Sequence, residues 1–216
     1  MKEHFMDLNI PQKYFILSCN EKGSIRIFKN TRRRAYLAES SFFDLALNDI
    51  IDLTDNSVII NKVLPDDKTY LNEFFQIINK NQGKSVTHVL RAMATNEKIT
   101  RIIYNEIGDS LVNKVDVTKA VTGLVFKTNN YLPNRSVKRE LVSDLRKEIL
   151  TSEKISPEAF ALLATLYGNH DLKFYFSQFE QKQLKDKIEL YQNDPTYEKL
   201  FDLSKRLNRV TLTLLS

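Results

Sequence analysis

Residues 160–167, Phe-Ala-Leu-Leu-Ala-Thr-Leu-Tyr, carry no charged side chain and follow Ser156-Pro157-Glu158, a helix start with serine as cap and proline just inside. A helix that is apolar nearly all round cannot lie on a surface and needs other helices about it. Two further segments share this character. Tyr14-Phe15-Ile16-Leu17 sits in a helix that Pro11 opens at its first position, and Phe42, Phe43, Leu45 and Leu47 close a helix read over residues 33–47. Central helices of this kind demand a second layer of helices around them.

That layer is legible as stripes. Asp66 or Asp67 is read as the cap of a helix carrying Leu71, Phe74, Phe75, Ile77 and Ile78 and ending near Gly83. Ser85 caps the next, with Val86, Val89, Leu90 and Met93 at spacings of three and four. Another spans residues 97–112, with Ile99, Ile103, Ile107 and Leu111 on one face. Asn134 opens a helix striped by Val137, Leu141, Leu145 and Ile149, and residues 172–191 and 195–215 supply the last two. A tight turn at Glu21-Lys22-Gly23 leads to a short strand, residues 24–28. Residues 50–53 and 58–62 form a hairpin about Thr54-Asp55-Asn56-Ser57, and residues 115–118 and 124–127 form a second about Ala120-Val121-Thr122-Gly123. The expected fold is mainly α: one helical domain over residues 1–216, with a central bundle, amphipathic helices around it and two short β-hairpins.

Hydrophobic residues at 42% and charged residues at 27% describe a globular chain, and five glycines with five prolines leave little for linkers. No apolar run approaches the roughly 20 residues a spanning helix needs. Cys19, read as lying within the first helix, is the single cysteine, and no signal peptide precedes it, which fits a reducing, cytoplasmic setting. Asn134-Arg135-Ser136 matches a glycosylation sequon only by chance in that setting.

Catalytic chemistry finds little support. His4, His88 and His170 are far apart and outside any metal-ligand motif. Cys19 has no local base and reads as a buried spectator. There is no glycine-rich phosphate loop, and acid pairs such as Asp66-Asp67 suit helix starts. The chain reads as a non-enzyme with no metal and no cofactor.

Charge is more informative. Lys22, Arg26, Lys29, Arg32, Arg33 and Arg34 lie between two apolar segments, in a chain of net charge +5. The guanidinium fork suits phosphate because it donates two parallel charge-assisted hydrogen bonds. A plainer reading makes Arg32-Arg33-Arg34 a solvated helix start with salt bridges. Three arginines there oppose the helix dipole, however, unless something anionic compensates. Val121, Leu124, Val125 and Phe126 at the second hairpin either pack inward or project as an apolar wedge beside the cations, a peripheral membrane pairing.

Taken in order, these segments resemble the Golgi phosphoprotein 3 family of phosphoinositide-binding proteins, which has bacterial members. The resemblance rests on Tyr14-Phe15-Ile16-Leu17 with Glu21-Lys22-Gly23, on Phe42-Phe43-Asp44-Leu45-Ala46-Leu47 before the hairpin at Ile50, and on the Leu71-centred helix. It continues through Ser110-Leu111-Val112-Asn113-Lys114, Tyr131-Leu132-Pro133, and Leu145-Arg146 followed by Pro157 and Phe160-Ala161-Leu162-Leu163-Ala164. It is clearest over residues 8–190. It implies a helical domain whose membrane-facing surface binds phosphatidylinositol 4-phosphate while the second hairpin, residues 118–128, dips into lipid. Eukaryotic members retain glycosyltransferases in the Golgi through the coat machinery.

Carried over by position, the family's tryptophan after the first strand falls on Phe28, or on Lys29 with a one-residue shift. Its arginine before the acid-Leu-Ala-Leu run falls on Ala38, and its Arg-x-x-Arg pair falls on Arg101 and Tyr104. Arg32, Arg33 and Arg34 stand close enough to replace the lost charge, and Leu124, Val125 and Phe126 keep the hairpin apolar. The family's basic N-terminal tail has no counterpart ahead of Tyr14, so Golgi sorting is not expected. The Asn-, Lys- and Ile-rich composition fits an AT-rich bacterial genome, where another anionic lipid replaces the phosphoinositide.

The expected function is therefore a peripheral membrane module that takes anionic phospholipid headgroups on Phe28, Arg32, Arg33, Arg34 and Arg101, with Leu124, Val125 and Phe126 inserting. The alternative is an adaptor for an acidic protein partner, with homo-oligomerisation left open. Nucleic acid is a poorer partner, since aromatic and basic residues do not interleave as in a stacking platform.

Overall fold

The computed structural model describes residues 8–19, 31–54, 57–112, 114–115, 117–122, 127–191 and 194–215. Among them are nine α-helices: α1 (Ile10–Ser18), α2 (Thr31–Leu47), α3 (Asn72–Lys80), α4 (Val86–Thr95), α5 (Glu97–Val112), α6 (Arg135–Thr151), α7 (Pro157–Gly168), α8 (Gln178–Leu190) and α9 (Pro195–Leu215). Two antiparallel hairpins, β1 (Ile51–Leu53) with β2 (Val58–Ile60) and β3 (Val117–Thr122) with β4 (Thr128–Pro133), complete the mainly α fold.

The three apolar segments form the centre. α1, α2 and α7 pack on one another, and α4, α5, α6 and α9 pack around them. Residues 35–45 of α2 are buried without a break, polar ones included. Such burial needs internal partners. Ser40 and Ser41 donate to the Leu37 carbonyl at 2.7 and 3.0 Å. Asp44 accepts from Lys68 Nζ at 2.7 Å, and the ammonium also reaches Asn9 Oδ1 at 3.2 Å. This buried ion pair ties the segment before α3 to α2 and to the cap of α1.

α1 meets α5 through an aromatic cluster. Phe15 lies tilted against Tyr104 at 4.9 Å between ring centroids, and Tyr131 of β4 closes the group edge-on, 5.7 Å from Phe15 and 5.4 Å from Tyr104. Gly108 permits this approach, because a Cβ there would stand 2.5 Å from the Tyr131 ring.

Several starts match the sequence reading. Ser85, Asn134 and Ser156 cap α4, α6 and α7, accepting from His88 N, Ser136 N and Ala159 N at 3.2, 3.1 and 3.2 Å. Others are corrected. Asp66 opens a 3-10 turn over Asp66–Leu71 rather than an α-helix, which begins only at Asn72. The helix expected over 172–191 is split, because Ser177 and Glu180 form a capping box that starts α8 afresh after a short 3-10 turn, Leu172–Phe174. In the second hairpin Ala120–Thr122 belong to β3, and the partner strand is the polar run from Thr128, held by the buried Tyr131. Pro11 is the second residue of α1, and Cys19 follows its end as the cap. Tyr167, expected in the core with the rest of α7, is 60% exposed. The turn at 21–23, the strand at 24–28 and residues 124–126 lie outside the described residues. No helix among the described residues is long and apolar enough to cross a membrane.

Candidate functional site: a basic cavity at the end of α1

A helix ends with carbonyls that lack intrahelical donors and carry partial negative charge. At the end of α1, three side chains, from α2, from α6 and from the residue that follows the 3-10 turn Leu172–Phe174, take those carbonyls. Tyr175 Oη donates to the Leu17 carbonyl. Arg33 Nη1 of α2 donates to Ser18 O at 3.1 Å, and Lys138 Nζ of α6 donates to Cys19 O at 2.5 Å. Above this junction opens a cavity of about 880 Å³.

Its walls carry five cations, Arg33, Arg135, Lys138, Arg139 and Arg146, against the single carboxylate of Asp171. Four of the five come from α6, where positions 135, 138, 139 and 146 repeat with helical spacing along one face. Leu17, Val142, Phe174 and Tyr175 add apolar wall. Arg146 is anchored by Glu180, Nε to Oε1 at 2.8 Å, and donates to Tyr175 O at 2.5 Å. Lys138 lies over the Tyr175 ring, 5.3 Å from its centroid. Arg135 and Arg139 are exposed, with no acidic partner among the described residues.

Asp171 owes its place to the way α7 stops. Asn169 caps the helix, His170 takes a left-handed conformation at φ 60°, and the chain turns back so that Asp171 N bonds Leu166 O at 2.9 Å and His170 N bonds Tyr167 O at 2.9 Å. The carboxylate then accepts from Asn169 Nδ2 at 2.5 Å and faces Arg33 Nη2 at 3.9 Å. Burial pushes its carboxyl above the ordinary aspartate range, against the opposing pull of Arg33 and the Asn169 amide. Burial likewise pushes the Cys19 thiol up to about 12, so the nearby sulfur is no nucleophile at neutral pH.

The site residues expected from sequence are distributed as follows. Arg33 lines the cavity. Arg32 donates through Nη2 to Gly168 O at 2.6 Å, the C-terminal end of α7. Arg34 is half-buried, its Nε without an acceptor among the described residues. Arg101 pairs with Glu97 on its own helix at 2.9 Å and does not line the cavity. Phe28, Leu124, Val125 and Phe126 lie outside the described residues. What the sequence reading passed over is the α6 row of Arg135, Lys138, Arg139 and Arg146, whose signal is a basic stripe flanking that of Val137, Leu141, Leu145 and Ile149.

α6 segregates its charge. Asp144 and Glu148 lie on the roughly opposite face and line a second cavity of about 450 Å³, with Asp44, Glu158 and a lone cation, Lys13. Burial lowers the Lys13 pKa despite these carboxylates. Among the described residues no cluster of His, Cys, Asp and Glu could hold a metal.

No curated protein matches the chain. The family model described as Golgi phosphoprotein 3 (GPP34) matches residues 10–199, a span that includes every residue named in the walls of the basic cavity. Together with the helical architecture, that match over most of the chain establishes that it belongs to the Golgi phosphoprotein 3 family.

Proposed function

We propose that the chain is a non-enzymatic, peripheral membrane module that takes the headgroup of an anionic phospholipid at the end of α1. The observation that carries this reading is the imbalance in the basic cavity: five cations line a space large enough for a phosphorylated headgroup, against Asp171 in its wall and the Glu180 that anchors Arg146. Arg33, Arg135, Lys138, Arg139 and Arg146 are its principal ligands. Arg32, Arg34, Arg101 and Phe28 are the further headgroup contacts that the sequence reading proposes, and Leu124, Val125 and Phe126 are proposed to enter the acyl region. Phosphatidylinositol 4-phosphate is the headgroup that the family resemblance implies; in a bacterial cell another anionic lipid takes its role.

Co-sedimentation with phosphatidylcholine vesicles, alone or doped with phosphatidylglycerol or with phosphatidylinositol 4-phosphate, tests the reading. A basic residue near an anionic surface contributes about 1 kcal/mol. Replacing Arg135 and Arg139 with alanine therefore weakens binding roughly 30-fold, and added salt weakens the wild type. Binding that ignores anionic lipid, or that survives loss of both arginines unchanged, overturns the proposal. Capture of an acidic protein after lipid removal, with no vesicle binding, would point to an adaptor instead.

A further inference from the structure

Three exposed aromatic side chains belong to the basic cavity or stand next in sequence to residues that hold its cations or their neighbours. Phe174, 63% exposed, lines the mouth of the basic cavity. Tyr167, 60% exposed, precedes Gly168, whose carbonyl Arg32 holds. Phe179, 70% exposed, stands in the first turn of α8 beside Glu180, the partner of the cavity residue Arg146. Lys173 Nζ lies 5.4 Å from the centroid of the Phe174 ring. Phe174 stands in water between a lysine and the basic cavity, while the core of the same protein buries Phe15, Phe42, Phe43 and Phe160; an apolar ring beside cations is the pairing that an anionic membrane surface takes.

We infer that the connection between α7 and α8 is a membrane-contact element in its own right, with Phe174, Tyr167 and Phe179 entering the headgroup–acyl boundary of an anionic bilayer. The occupant follows from the chemistry. Aromatic rings favour the membrane interface, where an apolar body and a polar surround are both satisfied, and the adjoining cavity supplies the positive charge that brings an anionic surface to them. The inference rests on the proposed lipid-binding reading but has a separate readout.

The chain contains no tryptophan, so Phe174→Trp places its only indole at the rim. Val63→Trp is the control: Val63 is 84% exposed and follows β2, where Asn61 N bonds Ile50 O just past the end of α2. Arg33 is near the other end of that helix, about 21 Å from its last residue at 1.5 Å per residue. With phosphatidylcholine–phosphatidylglycerol vesicles, Phe174→Trp emission moves to shorter wavelength and is quenched by lipids brominated in the acyl chains, while Val63→Trp does neither. Phe174→Ala loses about tenfold in vesicle affinity, the effect of withdrawing one aromatic from an apolar setting, with an unchanged melting temperature because the side chain is exposed.

A Phe174→Trp protein that sediments with vesicles but shows no shift or quenching overturns the inference and leaves the lipid-binding reading standing. So does a shift at both positions, or a Phe174→Trp protein that fails to bind vesicles the wild type binds. Failure of the wild type to bind anionic vesicles overturns the lipid-binding reading and the inference with it.

Discussion

Arg33 Nη2 stands 3.9 Å from Asp171 Oδ1, with the carboxylate side chain 7% exposed and the guanidinium 24% exposed. Asp171 is the one negative charge in a wall of five cations, and it competes with any anion for Arg33. Replacing it with asparagine keeps the hydrogen-bonding shape towards Asn169 and removes the charge. Asp171→Asn therefore binds anionic vesicles more tightly than wild type, by about tenfold if one opposing charge is worth what one basic residue is. Equal or weaker binding would show that Asp171 positions Arg33 rather than competing for it.

Glu39 gives the clearest pH dependence. It is fully buried in α2, its carboxylate oxygens have no hydrogen-bond partner among the described residues, and burial holds its carboxyl well above the ordinary glutamate range. At pH below that ordinary range, folded and unfolded chains both carry the proton. As pH rises, the unfolded chain releases it first while the folded chain keeps it, so stability falls, at about 1.4 kcal/mol per pH unit, until the folded carboxyl also ionises. Glu39→Gln removes this dependence. Thermal melts at several pH values should show the variant gaining on wild type as pH rises from about 5 to 8, and parallel curves would exclude a protonated Glu39.

The Lys68–Asp44 pair should behave as a unit. Lys68→Met strands a buried carboxylate, whose pKa burial already raises against the pull of Lys68, and costs about 3–5 kcal/mol. Lys68→Met with Asp44→Leu removes both charges and recovers most of that loss. Urea titrations of the two variants decide the matter: a double variant no better than the single one would mean that Asp44 is needed for something besides its ammonium partner.

Much of the architecture is readable along the chain. The stripe of Val137, Leu141, Leu145 and Ile149 fixes which face of α6 is buried, and Ser85, Asn134 and Ser156 announce their helices because a side-chain oxygen there satisfies an otherwise orphaned N–H. Failures have physical causes. Ser177 was read through because the apolar pattern continues on either side of it. The second hairpin is read with its first strand ending too early, at residue 118 instead of Thr122, because the apolar Ala120-Val121 resembles a tip when only hydrophobicity is followed.

The site was half legible for a geometric reason. Consecutive residues on a helix point about 100° apart, so Arg32 and Arg33 go to different neighbours, the first to the end of α7 and the second to the end of α1. The partial negative charge of those helix-end carbonyls offsets part of the positive charge at an arginine-rich helix start. Charges that do share a surface are spaced by three and four, like Arg135, Lys138 and Arg139, and look dilute in the linear sequence.

The two flanks of α6 have a further effect. Guanidinium and ammonium groups lie along one side and Asp144 and Glu148 along the other. On the proposed lipid-binding reading, a negatively charged sheet would pull one flank and push the other, like a compass needle set crosswise, and so favour arrival cavity first.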